Sequence, residues 1–464
     1  MARATRGVVH SAEGISATAN GLAASSTSGS RFSLKDVLPE WTPLYLGFLL
    51  FEAAIVTYRF PVGRVGVVLG VLALIFSRQK VRFPPPMLAL TTLIVLAAMG
   101  LPDSFNNAAS YKEFTEVLKT WLIALVAYNA IRTRKQFRFA LVAAIALYAF
   151  VPVRPALMMY MQGITDAGRL SGPFIYINAN DLASITLLVL GVTLWVLAVE
   201  PMQKWLRLVG YGFAGTLVVM MFLTQSRGGF LGLVIMGIPY AFSSRRRGLR
   251  PVVVIAAVAV AAAVFVPSSA WDRLSGIKKL TSSETIKEAD PEGSAEQRYV
   301  LAQTAIDLII RNPFNGVGIG SVPFAFTSYR RGISGRDPHN TYLKMAAELG
   351  IPGLLVYILL VVTVWRTISR ARRATRQTDP TVSTGLANLQ YGLLGFLVAS
   401  LFGSYAWLSI FHFFLAVMWS GAMAWMTAPS AVPTSPRTAP VADRTSFRFR
   451  PSVRRVLPAP DRGT

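Results

Sequence analysis

The chain has 464 residues, 53% of them hydrophobic and 15% charged, with a formal net charge of +24. Soluble proteins carry roughly 25% charged residues, and the apolar runs here approach bilayer-crossing length, which excludes an ordinary soluble enzyme. There is no cysteine, which excludes disulfide bracing and thiol chemistry.

In chain order, residues 1–35 are rich in Ala, Ser, Thr and Gly and have no apolar core of signal-peptide length. They read as a disordered cytoplasmic tail rather than a cleaved leader. Apolar spans follow at 42–58, 61–77, 87–102, 114–131, 136–153, 180–199, 205–223, 228–243, 251–267, 342–365, 385–403 and 405–427. The pattern predicts an all-α, polytopic integral membrane protein with about 12 transmembrane helices over residues 36–427. Its one long polar interval, 267–341, is inserted between the ninth and tenth helices. Residues 428–464, rich in Pro and Arg, read as a disordered basic cytoplasmic tail.

Loop charge sets the expected orientation. Alternate loops carry Arg78, Lys80 and Arg82; Arg132, Arg134, Lys135 and Arg138; Lys204 and Arg207; Arg245, Arg246, Arg247 and Arg250; and Arg366, Arg370, Arg372, Arg373 and Arg376. The short loops between them hold only Arg59, Arg64, Lys112, Arg154, Arg169 and Arg227. Lys and Arg concentrate in cytoplasmic loops, so both termini are expected inside and 267–341 outside. The positive charge is then a topology signal and a tail beside anionic lipid, and no nucleic-acid partner is needed to explain it.

Three polar residues could carry chemistry. Arg227 lies in Thr224-Gln225-Ser226-Arg227-Gly228-Gly229, between two spans on the outer side. An arginine at a helix N-terminus, with glycine N–H groups beside it, suits a phosphate. An interfacial arginine snorkelling from a tight turn fits the same residues. Arg298 follows a capping box, Ser294 with Gln297, and opens an amphipathic helix at about 295–311 with Tyr299, Ala302, Ile306 and Ile309 on its apolar face. An anion there would relieve the clash between the cation and the helix dipole, and a solvated arginine is the alternative. His339, in Asp337-Pro338-His339-Asn340 at the outer mouth of a helix, has the side chain suited to proton transfer near neutrality. It could equally be incidental to a capping turn. Of the other two histidines, His10 falls in the tail and His412 within the last span, where it is expected to be structural. Gly316-Val317-Gly318-Ile319-Gly320 follows no strand and reads as a turn, not a phosphate loop. No metal-ligating motif is present.

Together these stretches resemble the O-antigen ligase and polymerase superfamily. The likeness rests on Thr224-Gln225-Ser226-Arg227-Gly228-Gly229, on Arg298, and on Asn312-Pro313 with Gly316-Val317-Gly318. Pro338-His339-Asn340-Thr341 with Glu348-Leu349-Gly350, and Arg169-Leu170-Ser171-Gly172-Pro173 with Asn178-Ala179-Asn180, add to it. The resemblance implies a metal-independent and cofactor-free glycosyltransferase of the bacterial inner membrane. Such an enzyme takes a glycan from an undecaprenyl diphosphate carrier on the periplasmic face. It passes the glycan to lipid A–core, a growing glycan or another hydroxyl acceptor. It also implies that Arg227 and Arg298 bind the diphosphate and that His339 orients or deprotonates the acceptor. Arg169, Gln225, Gly228, Gly229, Asn340 and Glu348 follow as substrate-binding candidates. The rival is a lipid-linked oligosaccharide flippase or another multi-helix transporter. Coupled transporters usually place ionisable groups at mid-membrane, and here Glu52 is the one acidic residue clearly inside a span.

Overall fold

The computed structural model describes residues 38–58, 62–76, 80–242, 294–329 and 336–426. The two tails, the expected ninth span at 251–267 and the acidic stretch before residue 294 lie outside the described residues. Within them the protein is all-helical. The helices are α1 (Pro43–Thr57), α2 (Val62–Phe76), α3 (Pro85–Met99) and α4 (Asn107–Ala130). Next come α5 (Arg134–Met161), α6 (Ala179–Val199), α7 (Lys204–Leu223) and α8 (Arg227–Phe242). The last five are α9 (Ser294–Arg311), α10 (Val322–Tyr329), α11 (Thr341–Thr375), α12 (Pro380–Ala399) and α13 (Ser409–Met426).

Helices α5, α6, α7, α11, α12 and α13 are long and apolar enough to cross a membrane, and α1, α2, α3 and α8 are apolar but shorter. Ten of the expected spans fall on these helices, because in lipid every backbone polar group must be satisfied within its own segment. The fourth, 114–131, falls on α4, which is not among them. Helix α4 begins seven residues before its expected start and α12 five before its own, and two helices run well past their expected ends. Helix α5 continues to Met161 through a π turn at Ala149–Val153, where Pro152 removes a donor. Helix α11 runs ten residues past its expected end, to Thr375, and breaks at Gly350, whose φ of 70° and ψ of −178° are not helical.

Helix starts follow the local sequence. Thr42 caps α1, Asn106 caps α4, and Thr133 with Gln136 forms a capping box on α5. The centre of the bundle is α6, buried along most of its length. It meets α12 where Gly191 and Gly392 face each other, so closely that a Cβ on either would lie 2.9 Å from the other's Cα. Small residues permit such approach where apolar burial offers no driving force between helices.

The loops sort into two ends. At one end Arg132 donates to Lys80 O (3.0 Å), the Arg138 Nε–H donates to Glu200 (2.6 Å), and Arg134 stacks 4.2 Å over Trp425. At the other, Phe105 N bonds Val317 O, Leu170 N bonds Leu223 O, and Thr341 N bonds Ser400 O. The described basic loops collect at the first end and the three chemistry-bearing stretches at the second.

Candidate functional site

The site is built around the turn that starts α11. Asn340 Oδ1 accepts from the N–H groups of Tyr342 and Leu343 at 3.0 Å each, capping the helix. Three residues earlier Asp337 Oδ1 accepts the His339 backbone N–H at 3.0 Å. This short loop holds His339 at φ 50°, a left-handed conformation that costs energy in a non-glycine residue and often marks a functional position. Asp337 is itself fixed by Ser404 Oγ and by Lys344 Nζ at 2.7 Å. Burial would raise the Asp337 carboxyl, but the Lys344 charge and the hydrogen bonds from Lys344, Ser404 and the His339 N–H hold it below the usual range. The His339 imidazole is lowered from its ordinary value. Burial is the main cause, Asp337 opposes it, and Arg298, Lys344 and Arg336 add to it. Among the described residues, no group hydrogen-bonds either ring nitrogen.

Helix α9 delivers Arg298 into the electrostatic reach of His339 and of Tyr405. Its extent matches expectation, and its buried face does so only in part, since of the expected face Ile309 packs against the buried cluster while Tyr299 and Ile306 do not. Leu301, Thr304, Ala305 and Leu308 are buried, packing with Phe326 of α10 and Ala347 of α11, while Tyr299 and Ile306 are each 45% exposed. Both faces are apolar, so periodicity could not choose between them. The Ser294 and Gln297 side chains of the expected capping box lie outside what is described.

The glycine run after α9 is a clamp. Val317 N and Gly318 N donate to Ala347 O (2.8 Å) and Glu348 O (3.1 Å), and Ile351 N donates to Pro313 O (2.8 Å). These bonds satisfy the backbone that the break at Gly350 releases. Gly316 has φ 65°, and a Cβ there would lie 2.4 Å from the Glu348 carbonyl. The run is therefore a turn, as expected. Glu348 is fully buried within it. Its Oε1 accepts the Gly320 N–H (3.0 Å) and lies 3.9 Å from Lys344, and its Oε2 accepts Trp407 Nε1–H (2.9 Å).

Arg227 opens α8, half-buried, and no described group hydrogen-bonds or ion-pairs with its guanidinium. Gln225 sits at φ 49° in the preceding turn. Arg169 braces that turn from the side, donating to Thr224 O and Asn180 Oδ1 at 2.9 Å each. One expectation is corrected: the Gly229 N–H is not bare, because Ser226 Oγ caps it at 3.2 Å. Gly228 and Gly229 are buried where the backbone passes close to Phe402 and Ala183; a Cβ at either would come within 2.7 Å. The Phe402–Ser404 loop thus touches the Arg227 turn on one side and ties Asp337 on the other.

Residues 212–358 match a protein-family model described as O-Antigen ligase. The chain carries an O-antigen ligase domain. A comparison with curated proteins gives no match. The O-antigen ligase domain includes Arg227, Arg298, His339, Asn340, Lys344 and Glu348. Arg169, Asp181 and the Ser404–Trp407 stretch come from outside it.

Sequence reasoning missed Lys344, Asp181, Ser404, Tyr405 and Trp407. Glu348, like Glu52, lies inside an expected span, so Glu52 is not alone there, and Lys344 could have been found because a Lys four residues from a Glu in such a span demands its company. Tyr405, which lies within electrostatic reach of Asp181, carried no such signal. His412 is structural as expected, buried with Nε2 2.8 Å from Ala406 O. Among the described residues there is no cluster of three or more His, Asp or Glu able to hold a metal ion.

Proposed function

We propose that the protein transfers a glycan from an undecaprenyl diphosphate carrier to an acceptor hydroxyl, on the outer face of the inner membrane, in surface polysaccharide biosynthesis. The observation that carries this reading is the convergence on one end of the bundle of His339, with both ring nitrogens unengaged by described groups, Arg298 in its field, and the Arg227 turn.

In this reading Arg227 and Arg298 hold the diphosphate oxygens. Guanidinium groups match phosphate geometry and stay charged. The acceptor oxygen attacks the anomeric carbon. The bond from that carbon to the phosphate oxygen breaks, and the electron pair leaves on the carrier diphosphate. The arginines stabilise this growing charge, as preorganised cations do in phosphoryl transfer. The leaving group is already a stable anion and needs no acid. His339 takes the acceptor proton, and its lowered basicity keeps the ring neutral and ready near pH 7. The Asp337 bond to its N–H fixes where the ring stands.

The test uses purified protein with undecaprenyl diphosphate-linked glycan and a hydroxyl acceptor, in excess chelator. Transfer is expected without added metal, and Arg227→Ala or Arg298→Ala should abolish it while folded protein is retained. Lysine at either position should rescue only in part. Strict dependence on magnesium or manganese would overturn the assignment of charge stabilisation to arginine. Glycans of a deletion strain, sized on a gel, separate the two branches of the reaction. Loss of the polymer ladder with single units retained indicates repeat-unit polymerisation. Full-length polymer stranded on its carrier indicates ligation.

A further inference from the structure

At the end of the bundle away from the catalytic residues lies a cavity of about 670 Å³ that the proposed reaction does not use. Its long wall is apolar, formed by Leu69, Leu72, Ala73 and Phe76 of α2. Leu69 and Leu72 are 43% and 44% exposed, so this wall opens sideways where lipid would be. The head of the cavity is polar and positive. Thr42 and Thr133 line it, and these residues cap α1 and α5, so the positive N-terminal ends of two helices border it. Arg132 also lines it.

The charge at that head has no ion-pair partner among the described residues. Arg132 spends its Nε–H on Asn129 O (3.1 Å) and its Nη2 on Lys80 O (3.0 Å), both neutral acceptors. The Arg82 backbone is pinned by Asn129, whose Oδ1 accepts its N–H at 2.6 Å. The Arg82 guanidinium is not among the groups lining the cavity, but it lies near enough to Arg132 to repel it. Among the described residues neither guanidinium meets a carboxylate. Burial lowers Arg82, and burial and then Arg82 lower Arg132, the direction expected of cations lacking an anion. Glu40 is the one acidic residue among the described lining residues. It is exposed, and its backbone carbonyl is held by Gln136.

We propose that this cavity binds an anionic phospholipid, with the headgroup phosphate on Arg132, backed by the neighbouring Arg82, beside the two helix N-termini and an acyl chain along the α2 wall. Paired cations with helix dipoles recognise a phosphate, and an open apolar wall leading away from them recognises the chain attached to it. A free phosphate would leave the apolar wall empty, and a neutral lipid would leave the arginines opposed. The inference is independent of glycan transfer, because it concerns other residues at the other end of the fold.

Purified full-length protein is titrated with phosphatidylglycerol and with phosphatidylcholine of matched acyl chains, and bound lipid is counted by native mass spectrometry. Phosphatidylglycerol should be retained in preference. A cation near an anionic headgroup is worth about fivefold in affinity, so Arg82→Gln with Arg132→Gln should weaken that lipid about 25-fold. Arg132 also braces the loop at Lys80, so Ala73→Phe provides a second variant that leaves every arginine in place. By filling the wall it should weaken the same lipid about fivefold or more. Arg366→Gln with Arg370→Gln removes two exposed charges from the same end on α11 and should leave the affinity unchanged. The proposal is overturned if the two lipids bind alike, or if both cavity variants bind as the wild type does. A loss in the α11 variant as large as in the arginine-pair variant would reduce the effect to general surface charge. Displacement of phosphatidylglycerol by inorganic phosphate would reduce it to a free-anion site.

Discussion

Lys344→Met tests whether the base of the site is held by charge. The Lys344 ammonium lies 2.7 Å from Asp337 and 3.9 Å from Glu348, with side-chain exposures of 16%, 27% and 0% for Lys344, Asp337 and Glu348. Removing one partner of a buried ion pair typically costs ~3–5 kcal/mol, because the remaining charge is left without compensation. Asp337 keeps some contact with solvent, so a loss of about 3 kcal/mol is expected. Glu348→Gln removes the orphaned charge. In the Lys344→Met background it should therefore cost ~1–2 kcal/mol less than in the wild type. Unfolding in detergent by denaturant titration, followed by tryptophan fluorescence, measures all four corners of this cycle. The transfer rate adds an independent reading. Lys344 lowers the basicity of His339, so its loss raises the imidazole pKa and should move the acidic limb of the rate profile to higher pH. A cycle additive within ~0.5 kcal/mol, or an unmoved acidic limb, would refute the reasoning.

His339→Ala should lower turnover by about 10²–10⁴, the usual contribution of a positioned proton acceptor, while donor affinity stays near normal because both arginines remain. A wild-type rate, or a failure that traces to lost donor binding, would remove it from that role. His412→Ala is the control and should alter stability more than rate. In the wild type the rate needs the neutral ring, so it should fall as pH drops through the His339 pKa. Burial places that limb below the ordinary value of 6.5, and a limb at or above 6.5 would contradict the site geometry. Orientation is tested by single cysteines, introduced into a chain that has none. Cysteine at Asn315 should react with an impermeant maleimide in intact spheroplasts, and cysteine at Thr378 only after lysis. The reverse pattern would place the site on the cytoplasmic face.

By itself the sequence determined most of the helices and the separation of basic from chemically active loops. Bilayer-crossing length, helix capping and loop charge act within a few residues of one another, so they can be read from a linear chain. It also singled out Arg227, Arg298 and His339, because charged or titratable groups bordering apolar spans are few. The tertiary structure decided the rest. It chose the Leu301–Leu308 face of α9 over the equally apolar Tyr299–Ile306 face, since only a partner surface distinguishes two greasy sides of one helix. It turned Glu348 into a clamp between Gly320 and Trp407, and set Lys344 between two carboxylates. It brought Ser404 and Tyr405 against Asp337 and Asp181 from more than sixty residues away. These contacts depend on where the ends of α6, α11 and α12 meet, and that is fixed by glycine-to-glycine approach and backbone clamping between distant segments.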